Sequence, residues 1–542
     1  METLIYSLPL RLIGTLILVG WSVKVGEQAF FSTNRFRLSY PTVLGISFLL
    51  FVLFRCVYAE NREQNVDNST WIASALTIGK ASDPLHTLFN YADGRPLAIL
   101  PLALVEVVGI PVDYRVTNFI CVLLWCLTLW LFGRILNRYL DAKITAVLLW
   151  LPMLLLSTLS KHDFISFNTE VTGNLWLILA LFLILRLNPR SSMGALGIGF
   201  WLGCLPFVKF QTVPMGLVLG LLAGWKLFRA RQFGSLLGLL AGAVLPVALL
   251  VGYYASFDEL DAFWGDYFSN YFVYSYTTEY SSLSAASRFS PIRIAKFVFY
   301  SHRTLGYWFG MLGGILVATW MYLRRPMVGS AAQKERLWFG FGWFLASLYA
   351  VLQAGNDYYH YLLFLIFPSL FLGSVFYGLI DLAAARKGLI VVGGLVLLQA
   401  IVNGVTRIPL DTHPGEPLFQ AISTEIRNRS QPDEGLVVWG YLDRLYGYAR
   451  RPMGYRASNT FWVYFPSSTR EFRERQFLED LEHNRPRLFV DAISPRISVF
   501  SDSTYYFERF PAINAYIRQH YQLVKTIEDV RIFERKPPVI TN

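Results

Sequence analysis

Asp67-Asn68-Ser69-Thr70-Trp71 and, a little further on, Asp93-Gly94-Arg95-Pro96-Leu97 decide how this chain reads. The first places a carboxylate just beyond an apolar run that ends near Tyr58. The second opens another apolar stretch, 96–110, which is short for a span and carries Glu106. A membrane-crossing helix needs roughly 17–25 apolar residues, so this stretch fits a surface-lying or re-entrant helix. An acid at the membrane edge beside a Pro-led surface helix points to chemistry at the membrane surface.

The rest of the sequence supplies the membrane. Of 542 residues, 54% are hydrophobic and 16% charged, with a mean hydropathy of +0.41, which excludes a soluble globule. Apolar runs recur at about 4–23, 41–58, 116–137, 143–159, 170–187, 192–207, 212–227, 234–254, 304–323, 335–353, 361–382 and 388–405. Only helices or closed barrels satisfy their backbone amides in lipid, so these runs predict an α-helical polytopic membrane protein of about 12 transmembrane helices. Beyond residue 405 the composition turns charged and aromatic. Domains are therefore expected at 1–405, the transmembrane body with a first outer loop at 59–115, and at 406–542.

The net charge of +11 does not imply nucleic acid, because much of it lies in short loops between apolar runs. Examples are Lys24/Arg35/Arg37, Arg134/Arg138/Lys143, Arg186/Arg190, Lys226/Arg229/Arg231, Arg324/Arg325/Lys334/Arg336 and Arg386/Lys387. By the positive-inside rule these loops share the cytoplasmic side. The crossings between them are even in number only if 96–110 does not cross. Parity and length agree. The outer side then holds 59–115, 160–169, 208–211, 255–303, 354–360 and the tail. Arg11 interrupts the first run, so a shorter or interfacial first helix is the alternative. All four cysteines lie in apolar runs, so no disulfide framework or cysteine metal site is implied. The run 4–23 lacks the charged start and the cleavage site of a signal peptide.

In the tail, Gly435–Gly440 and Arg487–Asp491 read as short apolar strands and 530–534 alternates like a strand. The segments 419–429, 470–484 and 510–521 have helical spacing. The expectation is a small soluble α/β domain.

The outer loops concentrate ionisable groups: Asp67 and Arg95, then Lys161-His162-Asp163, Glu170, Lys209 and the aromatic pair His360-Tyr361. Such groups are costly near a bilayer and mark functional sites. A carboxylate with several cations suits transfer from a lipid-linked phosphate. The carboxylate deprotonates an acceptor hydroxyl, and the cations stabilise the phosphate left behind. Each has a plainer reading: Asp67 and Asp163 as helix-terminal charges, Lys209 as a snorkelling lysine, Arg95 as an anchor to lipid headgroups. The aromatics between Tyr253 and Tyr280 suit an interfacial belt or a platform for a sugar ring.

With these residues in view, the chain resembles the GT-C superfamily of membrane glycosyltransferases, in particular its protein O-mannosyltransferase-like and aminoarabinose transferase-like group. The resemblance runs over about 41–405 and rests on Asp67 in the first outer loop, Arg95-Pro96 and Asp163, with Glu170 as the rival acid. Lys209-Phe210-Gln211 and the segment from Tyr359 to Pro368 complete it. It implies an inverting glycosyltransferase that moves a sugar from a polyprenyl-phosphate donor to a hydroxyl of a glycan, lipid or protein on the extracytoplasmic face of a bacterial-type plasma membrane. In that scheme Asp67, Asp163 and Glu170 are the catalytic acids. Arg95, Lys209 and Lys161 hold the donor phosphate, and His162, His360 and Tyr361 bind substrate. Two departures stand out. Asp67 is followed by Asn68 rather than a second acid, and an extra apolar segment precedes the fold. No cofactor is expected, and transfer is expected without a divalent metal. The alternatives are a flippase or transporter of lipid-linked glycans and a surface polysaccharide ligase or polymerase, besides a scaffold that has lost activity.

Overall fold

The computed structural model describes residues 6–30, 38–160, 162–281, 283–324, 330–407, 415–494 and 502–537. Lys161, Arg35, Arg37 and Arg325 lie outside the described residues, and of His162 only the backbone is described, opening the short helix His162–Ile165. The chain divides into two compact units. One comprises Met1–Ala59, Asn118–Gly252 and Ser281–Leu410, and the other Glu60–Thr117, Tyr253–Tyr280 and Asp411–Asn542.

The first unit is a helical membrane body. Among the described residues, 9 helices are long and apolar enough to cross a membrane, and Ala142–Thr158 and Ser192–Val208 are shorter apolar segments. Each expected apolar run falls on a helix. The helix ends are set by polar residues in the intervening loops. Asp141 accepts from the Lys143 amide at 2.8 Å, Asp381 from Ala384 at 3.0 Å, and Ser330 closes a capping box with Gln333. Close packing relies on small residues. A Cβ at Gly199 would lie 2.0 Å from the Leu239 carbonyl, and one at Gly242 would lie 2.1 Å from that of Leu196. The helices Ser192–Gly203 and Phe233–Ser256 therefore meet backbone to backbone, as membrane helices do when glycine lines the seam.

In the second unit the expected surface segment forms the helix Pro96–Val107. At about 1.5 Å per residue its 12 residues reach roughly 18 Å, well short of a bilayer core of about 30 Å. It packs against the helix Val66–Lys80 so closely that a Cβ on Gly79 would meet Glu106 Cγ at 2.3 Å. Glu106, the charge that spoiled this stretch as a span, accepts from the Val112 amide at 2.6 Å and from Arg450 at 2.5 Å.

The tail's sheet has the order β1-β2-β4-β3, with β1 Leu436–Trp439, β2 Leu488–Asp491, β3 Tyr521–Ile527 and β4 Val530–Arg535. β1 and β2 run parallel, and the other pairs are antiparallel. Alternate side chains enter two cores. Leu436, Val438 and Val490 pack with Phe419, Ile422 and Tyr446, while Val437, Trp439 and Phe489 pack with Phe477, Leu481 and Ile513. Burial on both faces explains the unbroken apolar run of β1. The sequence pattern missed β3. It is an edge strand with a register shift between Leu523 and Lys525 and mostly exposed side chains, so its alternation is blurred.

Candidate functional site

Three helices of the membrane body begin at the same end: Thr169–Arg186, Val213–Arg229 and Leu363–Tyr377. Gly173 permits their convergence, since a Cβ there would lie 3.0 Å from both the Thr212 and Phe364 side chains. Asn174 ties two of them, donating to the Leu363 carbonyl at 3.1 Å. Helix N-termini carry partial positive charge, so three together favour an anion.

The polar groups at this end form one network. Glu170, in the first turn of its helix, is fully buried and ion-paired with Lys209, itself 6% exposed. Lys209 Nζ also donates to Thr169 Oγ1 at 3.0 Å and lies 5.0 Å from the centre of the Tyr361 ring. His360 Nε2 is 3.8 Å from Glu170 Oε1, and its Nδ1 is 3.9 Å from Asp163. The His360 ring meets Tyr361 edge-on at 4.8 Å. Glu170 Oε2 meets no hydrogen-bond donor among the described residues. Asp163, Glu170, Lys209, His360 and Tyr361, five of the expected site residues, thus share one neighbourhood. Thr169 belongs with them and was missed, although it stands beside Glu170 in the sequence.

Within the second unit, Asp67 and Arg95 lie among further polar groups. Asn65 caps the helix Val66–Lys80 by accepting from the Asp67 amide at 2.8 Å, which places Asp67 in the first turn, where the dipole favours its charge. Arg95 stands at the N-cap position of Pro96–Val107 without a side-chain capping bond; it lies 3.4 Å from Asp93 and over the rings of Trp71 and Tyr271 at 5.1 and 5.4 Å. Asp93 has φ +48° and Gly94 +64°, where a Cβ would strike Tyr271 at 2.9 Å, so the Asp93–Arg95 turn needs glycine at its centre. Asp93 has its carboxyl pushed up by burial, against the opposing charges of Arg95 and Arg473. Asp443 is likewise raised by burial while Thr70, Ser458 and Asn459 donate to it. Asp266, ion-paired with Arg473, completes the surroundings of Asp93.

The aromatic loop has a structural use. The hydroxyls of Tyr254 and Tyr267 donate to the Phe89 carbonyl at 3.0 and 2.9 Å, and Tyr271 donates to that of Asp93 at 2.6 Å. Tyr271 thus buttresses the turn that presents Arg95, while Tyr254 and Tyr267 hold the preceding helix Pro84–Asn90. Among the described residues, no group of three or more His, Cys, Asp or Glu side chains is arranged to hold a metal ion.

No protein-family model and no curated protein sequence matches the chain. Two solved structures of ArnT from Cupriavidus metallidurans resemble it, each covering 91% of this chain and 98% of that one with a TM-score of 0.56. One, bound to undecaprenyl phosphate, is 11% identical; the other, in the apo state, is 12% identical. At such identity the likeness is one of fold. The chain has the fold of these ArnT structures: a polytopic helical membrane protein with a small C-terminal sheet.

Proposed function

We propose that the protein is an inverting glycosyltransferase that takes a sugar from a polyprenyl-phosphate donor to a hydroxyl acceptor on the extracytoplasmic face of the membrane. The observation that carries this reading is the buried Glu170–Lys209–His360 network at the convergence of three helix N-termini, in a protein with the ArnT fold. A lysine fixed by a buried carboxylate, among helix N-termini, is chemistry for an anionic group at the edge of an apolar bundle.

In this reaction the acceptor oxygen attacks the anomeric carbon as Asp67 removes its proton. The bond from that carbon to the phosphate oxygen breaks, and its electron pair leaves with the lipid phosphate. Lys209 and Arg95 offset the charge that develops there, without a divalent metal. Asp163 and Glu170 hold His360 and Lys209 in place, and His360 and Tyr361 face the substrate.

The test is transfer of label from a radiolabelled polyprenyl-phosphate sugar in proteoliposomes of defined orientation. Asp67→Asn is expected to lower transfer by about 10²–10⁴, the usual worth of a general base. Undiminished transfer would remove Asp67 from the mechanism. Donor crossing the bilayer without product would favour the transporter reading instead.

A further inference from the structure

The opposite end of the membrane body carries a second constellation. There the helices Tyr114–Leu136 and Thr169–Arg186 finish, Val213–Arg229 finishes, and Ala331–Leu352 begins. Between them lies a cavity of about 480 Å³ whose polar lining includes Arg138, Lys226, Arg229, Arg336 and one acid, Glu335. Its inner wall is apolar, with Leu181, Leu222 and Phe371 among its residues.

We propose that this cavity is a binding site for an anionic phospholipid, the cations taking the headgroup phosphate and the apolar wall the first part of an acyl chain. A positive-inside bias alone would scatter cations over exposed loops. Here they converge on a concave, apolar-backed space. Arg138 donates to the Leu185 carbonyl at 2.7 Å and Lys226 to that of Ile184 at 2.7 Å, so both heads are fixed at the end of one helix. Those bonds use one donor each of the five on a guanidinium and the three on an ammonium. Arg336 is held over the Tyr139 ring at 4.7 Å, and Arg229 pairs with Glu335 at 3.3 Å. Four cations against one carboxylate leave the cavity strongly positive, and basic pockets between membrane helices suit anionic headgroups. The site is independent of the transfer reaction, since it lies at the other end of the helices that begin near Glu170 and Lys209.

The experiment counts bound lipid on delipidated protein by native mass spectrometry, after titration with phosphatidylglycerol, phosphatidylcholine or inorganic phosphate. One phosphatidylglycerol is expected to bind in preference to phosphatidylcholine. Inorganic phosphate should not displace it, because a free ion makes no use of the apolar wall; full competition by phosphate would overturn the lipid assignment. Arg336→Gln, which breaks no helix-end bond, should weaken binding about fivefold, the usual effect of one cation near an anionic headgroup. Glu335→Gln should strengthen it. Arg190→Gln and Arg231→Gln remove exposed charges outside the cavity on the same side and should leave binding unchanged. Equal weakening by these controls would show a general charge effect and refute the site.

Discussion

At the scale of single residues, the Glu170–Lys209 pair makes the firmest claim, because burial leaves it little solvent to fall back on. Removing one member of a buried pair costs roughly 3–5 kcal/mol, mostly from stranding the other charge. Lys209→Met is therefore expected to lower the thermal midpoint sharply. Glu170→Gln combined with Lys209→Met should recover most of that loss, since no buried charge then lacks a partner. Transfer activity should stay lost in the double variant. Thermal unfolding in detergent and the transfer assay separate the two effects: restored activity together with restored stability would reduce the pair to scaffolding. The resemblance offered Asp163, with Glu170 as its rival, for the second acidic position, and spacing had no means of choosing. In the structure Glu170 makes the ion pair, while Asp163 reaches the network through His360. Asp266 and Arg473 gave no signal at all, because their pairing joins positions 207 residues apart.

At the scale of elements, the site depends on how closely three helices approach around Gly173. A leucine there must displace Thr212 and Phe364, and overpacking of this kind costs about 1–3 kcal/mol. Gly173→Leu is expected to weaken apparent donor affinity by spreading the helix N-termini, measured as a raised KM in the transfer assay. An unchanged KM would mean that the convergence does not serve the donor. The helices themselves were legible because lipid demands long apolar runs. The helix Pro96–Val107 was legible because its length and charge failed that demand.

The sheet gives a second expectation at this scale. Burial pushes Asp491 up to about 6, with Arg531 opposing and Glu508 nearby. An unfolded aspartate titrates near 3.9, so between about pH 4 and 6 the folded chain binds more protons than the unfolded one. This contribution is fully present below about pH 4 and is lost as pH rises through about 6, on the order of 3 kcal/mol in all. Unfolding midpoints from pH 4 to 8 should show a shallower loss for Asp491→Asn than for the wild type. Identical slopes would mean that Asp491 is not the group that titrates.

At the scale of the whole molecule, the proposal stands or falls on sidedness. Placing all the cation-rich loops on one face works only if the segment from Pro96 to Ile110 stays on one side, and a 12-residue helix is too short to do otherwise. Leu85 precedes this segment and Ile110 ends it; they are 56% and 52% exposed, so a cysteine at either can react without disturbing a core. With Cys56, Cys121, Cys126 and Cys204 replaced, both should react with a membrane-impermeant maleimide added to the extracytoplasmic face. Cysteines at Arg190 and Arg231 should react only after permeabilisation. Should Ile110 react only from the side opposite Leu85, the helix would cross, the parity of every later span would invert, and Asp67 and Glu170 would lie on opposite faces of the membrane. No single transfer reaction could then use both, so this labelling pattern would overturn the glycosyltransferase scheme before any enzyme assay was run.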